Sequence, residues 1–487
     1  MLFNSPAYGA FLLATFALFW LVHRHRLARV LLLTVASYGF YFFGTLEASR
    51  EQPVPMGPMA WSALCLGIIF AGSTIDFWVG RKLGKTESPR ARKALLLVSI
   101  VYYLGVLSVF KYWNFAFDAL AQLAHAVGLP LSPLHLRLVL PFGISFFTFE
   151  TMSYTIDVYR RELEPAERYL DYLLFVCFFP HLVAGPIVRP RDMLPQLRDV
   201  PVYDARKQAE GLWLIATGLV KKVVVGDTLA VSHVNRVFEN PERFSSLEVV
   251  VGVYAYAVQI YADFSGYTDV ALGSAKLFGY ELPQNFNAPY VAKNLQEFWH
   301  RWHISLSGWL RDYLYIPLGG SRGSNVATYR NLLITMVLGG LWHGASWNFV
   351  IWGALHGVAL AGTRMWQRWR GPRRESWIGA WGSTFLTFQY VCFAWIFFRA
   401  PTFGHAVVVL ERIVTGGFGV SNLAPRVLLL LACAMGVHFL PRRATMAIGD
   451  RFARSPAFVQ GALLAAVALA LHLAAGAKAE PFVYGQF

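Results

Sequence analysis

What most constrains this chain is the recurrence of long apolar stretches from one end to the other. They lie at 7–21, 30–44, 58–79, 94–110, 172–188, 212–225, 247–261, 331–341, 347–361, 385–398, 427–440 and 458–475, with shorter ones at 115–127 and 138–156. A bilayer core about 30 Å thick is crossed by roughly 20 apolar residues in a helix. In lipid the backbone has to satisfy its own polar groups, which leaves helices or closed barrels. The pattern predicts an all-α polytopic membrane protein with about 11 transmembrane helices. Stretches too short or too polar to cross alone read as re-entrant or interfacial helices. Composition agrees: 56% of the residues are hydrophobic and only 15% are charged, against about 25% charged in an average soluble domain. A disordered chain, a collagen-like chain and a small disulfide scaffold are excluded. Cys65, Cys177, Cys392 and Cys433 are scattered through apolar runs, as small buried hydrophobes rather than a metal or disulfide framework.

The 43 Lys and Arg outnumber the 28 Asp and Glu, giving a formal charge of +15. In a soluble protein this would suggest nucleic acid. Here the basic residues fall in short loops between apolar stretches, where membrane topology explains them better. The first loop carries Arg24, Arg26 and Arg29. The next is nearly balanced, with Glu47, Arg50 and Glu51, and the third is again basic, from Arg81 to Lys93. This alternation places the N-terminus outside the cytoplasm and the basic loops inside, with 364–374 and 442–454 on the inner side too. Residues 1–6 lack the basic start of a secretory signal, so the first stretch is expected to stay in the membrane. No linker and no repeat with a period of roughly 20–50 residues interrupts the pattern. Residues 1–487 therefore read as a single integral-membrane domain.

Residues 259–348 break the apolar pattern with a density of polar, charged and Gly/Pro residues that lipid would not tolerate. Irregular backbone at membrane depth survives where it is buried in protein or lines a wet cavity, and ionisable residues there are functional candidates. In the first piece, 261–269, Asp263 and Asp269 stand at or just past the end of an apolar run. They read either as a capped helix end or as part of a polar cavity wall. The second piece, 294–314, begins with Asn294 and has apolar residues at 295, 298, 299, 302, 306, 309, 310, 313 and 314, the repeat of an amphipathic helix. Such a helix could lie flat in the interface. On its wheel His303 borders the apolar stripe beside Trp299, Leu306 and Leu310, whereas His300 lies nearer Ser307 and Arg311 and meets water or headgroups. Local spacing supplies no third ligand, so no metal site is expected. In the third piece, 338–348, the small residues Gly339, Gly340, Gly344 and Ala345 let neighbours approach the backbone. His343 sits among them between Trp342 and Gly344, and Asn348 follows.

These residues resemble the membrane-bound O-acyltransferase (MBOAT) family, most of all its bacterial alginate O-acetyltransferase branch. The matching stretches are LPFGISFFTFETMSYTIDVYR (140–160), FFPHLVAGPIVRPRDMLPQL (178–197), YADFSGYTDVALG (261–273), NFNAPYVAKNLQEFWHRWHISLSGWLRDYLYIPLGGSRG (285–323) and RNLLITMVLGGLWHGASWNFVIWGALHG (330–357). The resemblance implies helices around a central tunnel. It places the family histidine at His343 and a second histidine of this branch at His303. Three residues before the second histidine the branch commonly carries Arg; here it is His300, which is not assigned a catalytic role. Asp263, Asp269, Asn294, Trp342 and Asn348 are candidate supporting residues. The last six residues, 482–487, resemble the F-L-Y-x-x-F ending of a small membrane peptide that partners the related teichoic-acid D-alanyl transfer protein. By that likeness Tyr484 is a candidate acyl relay; otherwise it is an interfacial aromatic anchor.

Physical chemistry gives His343 a task. Imidazole, with a pKa near 6.5, can take a proton from an attacking hydroxyl and return it to a leaving thiol. The resemblance implies acetyl-CoA or a similar acyl thioester as donor and no cofactor, in the bacterial inner membrane. The acceptor would be an extracytoplasmic polysaccharide such as alginate, reached through a separate periplasmic acetyltransferase, since no soluble esterase-type domain is present. D-alanyl or another acyl transfer to a different envelope polymer is the alternative. A non-catalytic transporter would show inverted repeats and midplane charges on broken helices, and no internal repeat is visible.

Overall fold

The computed structural model describes residues 3–51, 54–136, 138–183, 185–371 and 376–474. Among these the chain is helical throughout, with no strand. Two units emerge: residues 1–212 with 270–283, and residues 213–269 with 284–487.

The first unit holds α1 (Pro6–Val22), α2 (Arg26–Glu51), α3 (Pro58–Lys85) and α4 (Pro89–Leu107), which passes through a π-helical turn, Ser108–Tyr112, into α5 (Trp113–Ala126). Then come α6 (Ile144–Arg160), α7 (Tyr169–Cys177), α8 (Phe179–Leu182), α9 (Pro190–Arg198) and the start of α10 (Ala205–Leu219). Proline opens α1, α3 and α4, where its missing N–H would have had no helical partner anyway. Stretch 172–188 is not one span: helix α7 stops at Cys177, Phe178 is extended (ψ 109°), and Pro180 falls in a new short helix.

The second unit starts in α10, which continues as a π-helical segment, Val220–Asp227, and holds α11 (Asn235–Glu239) and α12 (Ser246–Leu277) as far as Asp269. After residue 284 come α13 (Leu295–Trp299), α14 (Ile304–Leu310), α15 (Asn325–His343), α16 (Trp347–Arg370), α17 (Trp377–Arg399), α18 (Phe403–Thr415), α19 (Pro425–His438), α20 (Arg442–Arg454) and α21 (Ala457–Ala474). Its core is aromatic, built on Tyr256, Tyr290, Phe298, Trp302, Trp352 and Trp395.

Six of the described helices are long and apolar enough to cross a membrane: α2, α3, α4 continued by α5, α12, α17 and α21. The pair α19–α20, bent by 93°, makes a seventh if counted as one span. Helix α1, with 17 residues, is shorter. Leu97, Val101, Phe385 and Leu469 are exposed on such helices, the surface that lipid covers.

Two local expectations are corrected. Asp263 and Asp269 do not end a helix; α12 runs through both to Leu277. Residues 294–314 do not form one amphipathic helix either. Helix α13 ends at Trp299, His303 adopts a left-handed conformation (φ 42°, ψ 56°), and α14 begins after it. The apolar periodicity continues across the break because α13 buries Leu295, Phe298 and Trp299 and α14 buries Leu306, Trp309 and Leu310.

Candidate active site

His343 is the last residue of α15, and the chain reverses over 344–346 into α16. Glycines permit the close hairpin. A Cβ on Gly340 would lie 2.2 Å from the Phe349 carbonyl oxygen, and one on Gly353 would lie 2.3 Å from that of Met336. The helices meet backbone to backbone, which fixes the corner where His343 sits.

The imidazole of His343 is 4% exposed. Its ring is surrounded by Trp342 (centroids 4.9 Å apart), Trp352 (5.2 Å) and Phe398 (5.3 Å), all at steep angles. His303 is completely buried. Its ring lies 4.7 Å from Phe264 and 6.1 Å from Trp342. The indole of Trp342 thus borders both histidines.

Positive φ is uncommon for a residue with a Cβ, so the turn at His303 needs support. The segment around Asn285 supplies it. The N–H of Ile304 donates to the Asn285 carbonyl, and that of Asn287 to the Arg301 carbonyl. Asn285 Oδ1 lies 3.3 Å from His303 Nδ1 and accepts from the Ser305 hydroxyl at 2.6 Å. With Nδ1–H donated to that oxygen, His303 would present an unprotonated Nε2. Burial pushes its pKa down to about 3, keeping it neutral. Asn285 stands in the quoted NFNAP run, and only its bonds to residues 303–305 explain its role.

The other candidates separate. Trp342 and Asn348 are buried beside the hairpin turn, and Asn348 Nδ2 donates to the Ala400 carbonyl at 2.7 Å. Asn294 is the N-cap of α13, accepting from the Glu297 N–H at 2.9 Å, a local structural duty. His300 is exposed. It does not share the buried setting of His303. Asp263, 1% exposed, lies 2.7 Å from Lys222 Nζ, which also contacts Asp227 at 2.6 Å. Asp269 pairs with Lys221 at 2.6 Å. The two lysines inside the apolar stretch 212–225 were the signal that these carboxylates would be neutralised. Tyr484 and the rest of 482–487 lie outside the described residues.

His303, His343, Trp342 and the ring wall place two imidazoles in a buried aromatic setting, suited to moving a proton between a hydroxyl and a leaving group. Comparison with known proteins agrees with that chemistry. The sequence model of the MBOAT, membrane-bound O-acyltransferase, family matches residues 96–404. A probable alginate O-acetylase of Pseudomonas aeruginosa is 40% identical over 397 residues, covering 80% of this chain and 70% of the relative. A peptidoglycan O-acetyltransferase of Helicobacter pylori is 34% identical, covering 86% of this chain and 81% of the relative. A teichoic acid D-alanyltransferase of Bacillus subtilis is 28% identical, covering 57% and 72%. The chain belongs to the membrane-bound O-acyltransferase family and is a multi-pass membrane O-acyltransferase.

Proposed function

We propose that this protein moves an acetyl group from cytoplasmic acetyl-CoA across the membrane for O-acetylation of an extracytoplasmic polysaccharide such as alginate. The observation that carries the reading is the pair of buried histidines meeting at one indole, Trp342. Relatives named for O-acetyl transfer are 40% and 34% identical, the one named for D-alanyl transfer 28%, which favours acetyl over D-alanyl. The setting is the bacterial inner membrane, with the N-terminus on the periplasmic side and a periplasmic acetyltransferase as partner.

In this mechanism a hydroxyl of the acceptor gives its proton to His343 as its oxygen attacks the thioester carbon. The tetrahedral intermediate collapses, the C–S bond breaks, and the imidazolium returns the proton to the thiolate. The products are an ester and a free thiol. His303 positions the acceptor, its unprotonated Nε2 taking a hydrogen bond from the acceptor hydroxyl. The ring wall limits hydrolysis by water. Tyr484 is proposed as the first acceptor, a phenol whose acyl ester is more activated than an alkyl ester.

The test follows intact mass of purified protein given labelled acetyl-CoA. Label on the wild type, lost in Tyr484→Phe, supports the relay. His343-dependent thiol release without label removes Tyr484 and leaves the enzyme reading standing.

A further inference from the structure

Four helices of the first unit, α3, α4, α6 and α7, surround one carboxylate. Asp76 lies inside α3 and is completely buried. Among the described residues no basic side chain pairs with it. Arg81 donates instead to the Glu167 carbonyl. Arg92 donates to the carbonyls of Leu83, Thr86, Val158 and Tyr159. Taking a charge out of water is costly, so buried charges are paired or bound to a metal ion. In a membrane protein such a residue is a functional candidate by default.

Hydroxyls take the place of cations around it. Those of Ser99 and Tyr103 on α4, Thr155 on α6 and Tyr172 on α7 face the carboxyl, and all four residues are buried. They stand round it without closing on it. Asp76 Oδ1 and Tyr103 Oη have no hydrogen-bond partner, and Tyr172 Oη lies 3.5 Å from Asp76 Oδ2. Ser99 Oγ donates to Thr155 Oγ1 at 3.2 Å, which leaves lone pairs on both oxygens. Sodium is close to calcium in size, and an ion held at about 2.4 Å sets neighbouring oxygens about 3.4 Å apart. One carboxylate balances one positive charge, so a monovalent ion leaves the interior neutral and a divalent ion does not. The wall is tight, which favours a small ion: a Cβ on Gly72 would lie 2.8 Å from Tyr103 Oη.

We propose that Asp76, with the hydroxyls of Ser99, Tyr103, Thr155 and Tyr172, binds a sodium ion that fastens α3, α4, α6 and α7 together. The ion neutralises the carboxylate and gives the hydroxyl oxygens a common partner. The site lies entirely in the first unit, whereas His303 and His343 belong to the second. It does not depend on which donor or acceptor the enzyme uses.

The experiment melts the purified full chain in detergent while sodium chloride replaces choline chloride at constant ionic strength and pH. A ligand bound only by the folded state raises the melting temperature as its concentration rises. The site predicts a rise of several degrees for the wild type, and binding of radioactive sodium in equilibrium dialysis. Asp76→Asn keeps the shape, removes the charge and should lose both. Thr155→Val removes a single oxygen and should raise the sodium concentration for half the effect at least fivefold; it is the variant to read if Asp76→Asn fails to fold. A wild type that melts alike in both salts and binds no sodium overturns the site. So does a variant that responds to sodium as the wild type does. Melting that follows pH and ignores sodium would put a proton on Asp76 in place of the ion, and overturns the sodium site too.

Discussion

Two polar regions, one partly and one fully buried, lie in the same unit, and they are handled in opposite ways. Around α12 every carboxylate singled out from the sequence meets an ammonium: Asp263 and Asp227 share Lys222, and Asp269 has Lys221. Around α15 and α16 the polar side chains are neutral, walled by aromatic rings, and several keep atoms with no protein partner. Buried charge is tolerable when paired, and breaking such a pair is expensive. The first region is therefore built for stability. The second holds neutral donors and acceptors in reserve, the arrangement a site needs if a substrate is to complete it. Chemical conspicuousness in the sequence does not separate the two; charge does, paired around α12 and absent from the ring-walled side chains Asn348, Trp352 and His356.

This comparison can be broken from either side. The largest effect is expected from His343→Ala, which removes the base. The rate should fall by about 10²–10⁴-fold, with the melting temperature close to wild type, measured as thiol release and by thermal unfolding in detergent. Lys222→Met should do the reverse. It strands two carboxylates, at a cost of about 3–5 kcal/mol in stability, and should show in yield and melting before any kinetic effect. Adding Asp263→Asn should recover part of the loss. A Lys222→Met protein that is fully stable would show that the α12 charges are not structural.

His303→Ala is expected to cost about 10²-fold in rate, because the acceptor hydroxyl loses the nitrogen that orients it. Its effect on the pH profile sharpens the point. With a pKa near 3, His303 does not change charge between pH 5 and 8, so it adds no step to the rate in that window. The acid limb should keep its midpoint in the variant, since the loss of rate on acidification follows protonation of a different base. A displaced midpoint would assign that titration to His303. At the small end, Asn294→Ala removes an N-cap and should cost about 1 kcal/mol without altering the rate.

The sequence made some of this plain and hid the rest for physical reasons. The place of His343 among close-packed glycines is legible in the run LGGLWHGASWN, while its catalytic assignment comes mainly from the family resemblance. The apolar helices were legible from length. The break at His303 was not: the apolar spacing runs on from Trp302 to Leu306 across it, and no Gly or Pro marks the left-handed residue. Its support comes from Asn285, 18 residues earlier in the chain, a non-local bond that periodicity cannot reveal. The pairing of Asp263 and Asp269 inside α12 involves Lys222 and Lys221 in another segment, which periodicity cannot reveal. Trp352 and His356 look like ordinary members of an apolar helix; their enclosure among aromatic rings is visible only in the fold.

The most direct test of the central claim, thioester-dependent acyl transfer through His343, is to supply purified protein with acetyl-CoA and measure free CoA, comparing wild type with His343→Ala and with Asp269→Asn, a substitution in the paired charges of α12. The account predicts steady release by the wild type and by folded Asp269→Asn, and its loss in His343→Ala. Release that persists in His343→Ala would contradict it.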